Sequence, residues 1–106
     1  MLSTDQWTTI RSLVAWLDSE NGRSQHEISM RLLKLVEEAG EVAQAYIGTQ
    51  GQNPRKGHSH TTDDVAAELC DVIVTAAVAL ASISDGDPAA IMDAKLKRIA
   101  DRVGVQ

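Results

Sequence analysis

Residues 65–84 read VAAELCDVIVTAAVALASIS, twenty residues in which the only charged side chains are Glu68 and Asp71. Their i, i+3 spacing puts both on one side of a helix, a turn apart. Two carboxylates therefore stand where the chain otherwise avoids charge. Upstream, LLKLVEEAGEVAQAY (residues 32–46) carries Glu38 and Glu41 at the same spacing on a second expected helix. If the two helices pack face to face, four acidic groups converge, which is the arrangement a hard divalent cation requires.

Working outward, punctuation residues divide the chain into four helices. The first is predicted over about residues 5–19 from a Ser3 or Thr4 cap, with Trp7, Ile10, Leu13, Val14 and Leu17 at helical spacing and Asn21-Gly22 as its stop. The second runs over about 24–47 from a Ser24 cap, with Glu27 at the capping-box position and Gly48 ending it. GTQGQNPRKGHSH has three Gly, one Pro and no aliphatic residue, so 48–61 reads as an exposed loop. Thr61 or Thr62 caps the third helix, 62–83, whose Asp63 and Asp64 suit the positive end of its dipole. Asp87 and Pro88 open the fourth, 88–103.

Composition agrees with an all-α protein. Ala, Leu, Val and Ile supply the apolar volume, and the aromatic set is Trp7, Trp16 and Tyr46 with no Phe, which favours closely packed helices over a sandwich of sheets. At 106 residues and 43% hydrophobic, the chain is read as one helical domain, residues 1–106. The net charge of -5 argues against a phosphodiester backbone or an anionic membrane as partner. Cys70 is the lone cysteine and no secretory leader opens the chain, so the expected compartment is a reducing cytoplasm. The 65–84 run is long enough to span a membrane, but two acids near its start and no flanking aromatic or basic anchors set that reading aside.

Glu27, Arg31, Lys34, Glu38 and Glu41 fall in one polar stripe of helix two, and Asp64, Glu68, Asp71 and Thr75 in one stripe of helix three, each flanked by aliphatic residues. The plain alternative is that both stripes face water. Two carboxylates ~6 Å apart repel by roughly 3 kcal/mol at an effective dielectric near 20, so four together without a counter-charge would cost about as much as a small domain's whole stability. Because Val78, Ala79 and Ser82 give helix three no charged outer face, Glu68 and Asp71 are expected to be partly buried, with a cation joining the cluster. Carboxylates without Cys or His in either stripe favour Mg²⁺, or Mn²⁺, over zinc or copper. A di-iron site wants Glu-x-x-His on two helices, and none is present. Mg²⁺ held this way bridges protein to substrate phosphates, which suggests phosphoryl or nucleotidyl hydrolysis.

The motif Glu37-Glu38-x-x-Glu41, followed after twenty-six residues by Glu68-x-x-Asp71, resembles the EExxE…ExxD signature of the MazG-like, all-α nucleoside triphosphate pyrophosphohydrolases. Lys34 also sits where that family carries a lysine. The similarity covers about residues 24–103. It implies a four-helix, bundle-like fold completed by pairing of subunits as a homodimer or homotetramer. It also implies Mg²⁺ ligands at Glu38, Glu41, Glu68 and Asp71, an acid that orients water at Glu37, and hydrolysis between the α and β phosphates of a nucleoside or deoxynucleoside triphosphate, as in cleansing of the nucleotide pool. Lys95 and Arg98 resemble the family's downstream basic pair, although KLKR lacks the aromatic that usually follows the lysine.

Argued from chemistry alone, Glu41 or Glu37 accepts the proton of an attacking water, and Lys34, with Arg31, is placed to hold phosphate, while a phosphate role for Lys95 and Arg98 is what the resemblance implies. Arg55 and Lys56 make the loop basic enough to close over a triphosphate. Trp7 and Trp16 lie 180° apart on helix one; each is core or a base-stacking surface, and Tyr46 has the same two readings. Cys70 reads as packing, since no basic neighbour activates it. The rival of a different class is a non-catalytic helical dimerisation or regulatory module with a structural cation or nucleotide site.

Overall fold

Every helix begins at a side-chain cap supplied by the sequence. The structure, a computed structural model, describes residues 2–105 and contains α1 (Thr4–Asn21), α2 (Gln25–Gln50), α3 (Thr62–Ile83) and α4 (Pro88–Val103), with no strand among the described residues. Ser3 and Thr61 accept from the backbone N–H of Gln6 and Asp64, whose side chains return the bond to close two capping boxes. Ser24 accepts from the N–H of Glu27, and Asp87 from that of Ala89 just past Pro88. Glu27 does not complete a box; its carboxylate goes to Arg31 and Asn21.

Gly48 does not end α2, contrary to the expectation from its position. The helix continues to Gln50 and is capped by Gly51 at φ 63°. Gly48 instead makes room: the His60 ring and the Ser59 hydroxyl fill the space a Cβ would need, and the Gly48 carbonyl accepts from the Ser59 N–H at 3.1 Å. Beyond α2 the chain turns on Asn53, whose carbonyl accepts from Lys56 and Gly57 and whose side chain accepts from the Arg55 N–H. The loop thus returns tightly onto the end of α2.

Three cross-links fix α2 and α3 as an antiparallel pair. Gly48 meets Ser59, Glu38 and Glu41 meet Glu68 and Asp71, and Arg31 meets Ser82. On the other side of α3, Trp7, Ile10 and Val14 of α1 pack against Ala77 and Val78, with Leu2, Leu17, Leu80 and Met92 around them. Helix α4 joins this core only through its start, where Pro88 is buried and Ala89 and Met92 touch the cluster.

The chain leaves much apolar surface open. Leu33, Val36, Tyr46, Ile73 and Val103 are each more than half exposed, and among the described residues no large side chain is fully buried. The radius of gyration is 16.6 Å, where about 13 Å suits a compact chain of this length. Accessible surface is 7482 Å², about 1,700 Å² above the ~5,800 Å² of a compact 11.4 kDa monomer. Helix α3 is long and apolar enough to cross a membrane, with mean hydropathy 1.9. It packs on α2 and α1, however, and carries Glu68 and Asp71 into the α2 contact.

Candidate metal centre

Between α2 and α3 each of Glu38, Glu41, Glu68 and Asp71 offers a carboxylate oxygen, and the four oxygens lie within 4.8 Å of one another. The antiparallel register does this: successive acids on α2 stand a turn apart facing α3, and those on α3 answer them. Glu38 is buried, Glu68 half-buried and Asp71 exposed, so the cluster opens to solvent on the Asp71 side. Partial burial was expected for both α3 acids; Asp71 departs from it because it lies at the edge of the helix contact.

The electrostatics are unbalanced. Glu38 Oε2 and Glu68 Oε2 are buried and have no hydrogen-bond partner, a costly state for a carboxylate oxygen unless a cation meets it. Among the described residues the only basic side chain paired with the cluster is Lys34, whose Nζ lies 3.2 Å from Glu38 Oε1 and 3.0 Å from Glu37 Oε1. Hydrogen bonds to Glu37 and then Glu38 raise the Lys34 pKa, which keeps the ammonium charged. The negative charge of Glu38, a hydrogen bond to it and the nearby Glu68 raise the pKa of the Glu41 carboxyl. Four carboxylates sharing one lysine are short of positive charge, and an oxygen-seeking divalent ion fits the donor set.

The remaining expected site residues distribute unevenly. Glu37 is exposed beside Lys34. Arg31, expected as a phosphate ligand, is corrected: it is 5% exposed and spends four of its five N–H groups on Glu27, Asp18, Ser82 Oγ and the Gly22 carbonyl. Trp7 is likewise corrected as a base-stacking candidate, since it is 4% exposed in the α1–α3 core. Trp16 is 58% and Tyr46 57% exposed. Arg55 and Lys56 lie exposed on the loop, and Lys95 and Arg98 on α4; none of these four forms an ion pair among the described residues. Asp18 and Ser82 were not singled out from sequence, although they fix α2 through Arg31.

Two open clefts lie beside Lys34, and none of the four acids lines either of them. One, about 310 Å³, lies between α1 and α2 and is lined by Leu17, Met30, Leu33, Lys34 and Glu37. The other, about 220 Å³, is walled by Leu13, Trp16, Leu17, Val74 and Thr75, with Lys34 at its edge. Lys34 borders both clefts and touches the acids. No family model, curated protein or solved structure matches the chain, so its own geometry carries the functional reading.

Proposed function

We propose that this protein is a Mg²⁺-dependent nucleoside triphosphate pyrophosphohydrolase of the MazG-like kind, acting as a homodimer or higher homo-oligomer in the cytoplasm and serving nucleotide-pool cleansing. The observation that carries the reading is the convergence of Glu38, Glu41, Glu68 and Asp71 within 4.8 Å around two buried carboxylate oxygens that find no hydrogen-bond partner among the described residues. Those four would hold the ion, with Mn²⁺ as the alternative, and the ion supplies charge neutralisation to phosphate oxygens.

The chain's own groups support the rest of the chemistry. Glu41, with its pKa raised by its acidic neighbours, and the exposed Glu37 are the acceptors available for the proton of an attacking water. Lys34 holds Glu37 and Glu38 in place and offers a cation to phosphate. Trp16 gives the 220 Å³ cleft an aromatic wall suited to a nucleobase. The exposed apolar faces and the excess surface support association of subunits.

The test is a panel of standard and chemically damaged triphosphates with Mg²⁺, with product analysis. Monophosphate and pyrophosphate as products, lost in Glu38→Gln and Asp71→Asn, support the enzyme. Mg²⁺ binding without release from any triphosphate supports a non-catalytic module.

A further inference from the structure

The loop that joins α2 to α3 reverses the sign of the chain. Residues 51–61 carry Arg55, Lys56, His58 and His60 and no acid, in a protein of net charge -5. Neither Arg55 nor Lys56 forms an ion pair among the described residues. The Ser59 N–H donates to the Gly48 carbonyl at 3.1 Å, so the loop is fastened to the end of α2. Between loop and helix it encloses a cavity of about 90 Å³ whose polar lining is Gln44, Asn53, Lys56, Ser59 and His60, and no carboxylate lines it.

That lining is a set of donors. The Asn53 side-chain oxygen already accepts from the Arg55 N–H at 3.0 Å, which leaves its amide nitrogen to donate. Ser59 Oγ and His60 Nδ1 lie 2.8 Å apart; whichever of the two donates, the pair keeps another N–H or O–H to offer. Lys56 adds an ammonium and Gln44 an amide. Asp64 turns its carboxylate away to the Thr61 N–H at 2.8 Å. Gly48 makes the arrangement possible, because a Cβ there would run into the His60 ring and come within 2.7 Å of Ser59 Oγ.

Size and charge together select the ligand. The cavity has room for a few water-sized groups, which suits one tetrahedral oxyanion, and is well below the several hundred Å³ that a nucleoside needs. Gln44 follows Glu41 by about 4.5 Å along α2 and Gly48 by about 10 Å, so the cavity starts one turn beyond the acid cluster. At its far end the acids are a Debye length away and their repulsion is largely screened. We propose that the return of this loop onto α2 builds a second site, apart from the acid cluster, in which Lys56, His60, Ser59, Asn53 and Gln44 bind a single phosphate group. Inorganic phosphate and the terminal phosphate of a nucleotide share that chemistry. The site itself does not rest on the pyrophosphohydrolase reading; only the nucleotide as source does.

Amide NMR of the full chain, titrated with inorganic phosphate without Mg²⁺ at constant ionic strength, is expected to show saturable shifts at Gly48, Gly57, Ser59 and His60 and none at Glu68 or Asp71. Glu38→Gln should leave them unchanged. Lys56→Ala should weaken binding by about tenfold, the worth of a charge-assisted hydrogen bond. Arg55→Ala removes the same charge from the same loop but lies outside the cavity lining, and should change it by less than about twofold. Gly48→Ala should abolish binding with helicity kept by circular dichroism, since alanine suits a helix. No saturable shift, shifts centred on the acid cluster, or equal losses in Lys56→Ala and Arg55→Ala overturn the site. A non-hydrolysable triphosphate with Mg²⁺ then separates the sources: displacement of phosphate assigns the site to the nucleotide's terminal phosphate, and simultaneous binding assigns it to the free ion. Either result upholds the site, and a protein that binds phosphate here yet cleaves no triphosphate loses the enzymatic reading alone.

Discussion

At the scale of single residues, the decisive feature is that Glu38 Oε2 and Glu68 Oε2 are buried without a partner. Glu68→Gln removes one repelling charge, so the metal-free melting temperature is expected to rise by about 5 °C, while the stabilisation by Mg²⁺ disappears. Pyrophosphate release should fall by at least about 100-fold. Scanning fluorimetry with and without Mg²⁺ checks the first two; a fall in the metal-free value with the Mg²⁺ effect intact means the acids are merely solvated. Glu41 adds a pH dependence of definite sign. Its folded pKa lies above the ordinary 4.5, so the native state holds that proton more tightly than the unfolded chain, and the resulting stability is present at low pH and lost as pH rises from 4.5 through the raised value. Mg²⁺ competes with the same proton, so titration calorimetry should show its affinity weakening as pH falls through that window. The i, i+3 spacings identified all four acids because spacing fixes direction around a helix. They did not give depth, which is why Asp71 lies more open than expected and Trp7 is core rather than a surface for a base.

At the scale of elements, one side chain of α2 reaches both of its neighbours. Arg31 links Asp18 of α1, Glu27 of its own helix and Ser82 of α3 at 2.9, 2.8 and 3.0 Å, and Arg23 adds a bond to the Ser82 carbonyl at 2.6 Å. Arg31→Met leaves Asp18 and the Ser82 hydroxyl without that partner, and destabilisation of roughly 2–3 kcal/mol is expected, below the full cost of a broken buried pair because Asp18 is partly solvated. Urea unfolding measures it. Below its melting point the variant should bind pyrophosphate with an affinity within about twofold of wild type; a tenfold loss would restore Arg31 as a phosphate ligand. In sequence Arg31 falls in the same stripe as Lys34 and Glu38, and stripe membership alone gave it the same role. Its true partners come from α1 and from the far end of α3, 51 residues away for Ser82, which no local spacing reports. Helix starts were legible because Ser3, Ser24, Thr61 and Asp87 act locally. The end of α2 was not, since Gly48 serves contact with His60 rather than termination.

At the scale of the whole molecule, a radius of gyration of 16.6 Å and a surface of 7482 Å² describe a chain that has not buried what its sequence offers for burial. The run 65–84 announced a helix too apolar for a protein surface, and its all-α context was readable from composition; what covers its outer face was not, because periodicity does not distinguish a neighbour in the same chain from one in another. Leu69, Ile73 and Val74 on α3 and Leu32, Val36 and Tyr46 on α2 remain between 40% and 73% exposed. If these faces are interior to an oligomer, folding and association are one equilibrium, and stability depends on protein concentration. A dimer of two 106-residue chains unfolding cooperatively should then gain about 6 °C in melting temperature for each hundredfold rise in concentration. Ile73→Glu should remove that dependence and lower the melting temperature at every concentration, because a carboxylate on the covered face must be desolvated each time the copies meet. Fluorimetry from 0.5 to 50 µM, a range of about two decades chosen for that slope, reads both effects. A flat melting temperature in the wild type would mean that the open faces are solvated as they stand.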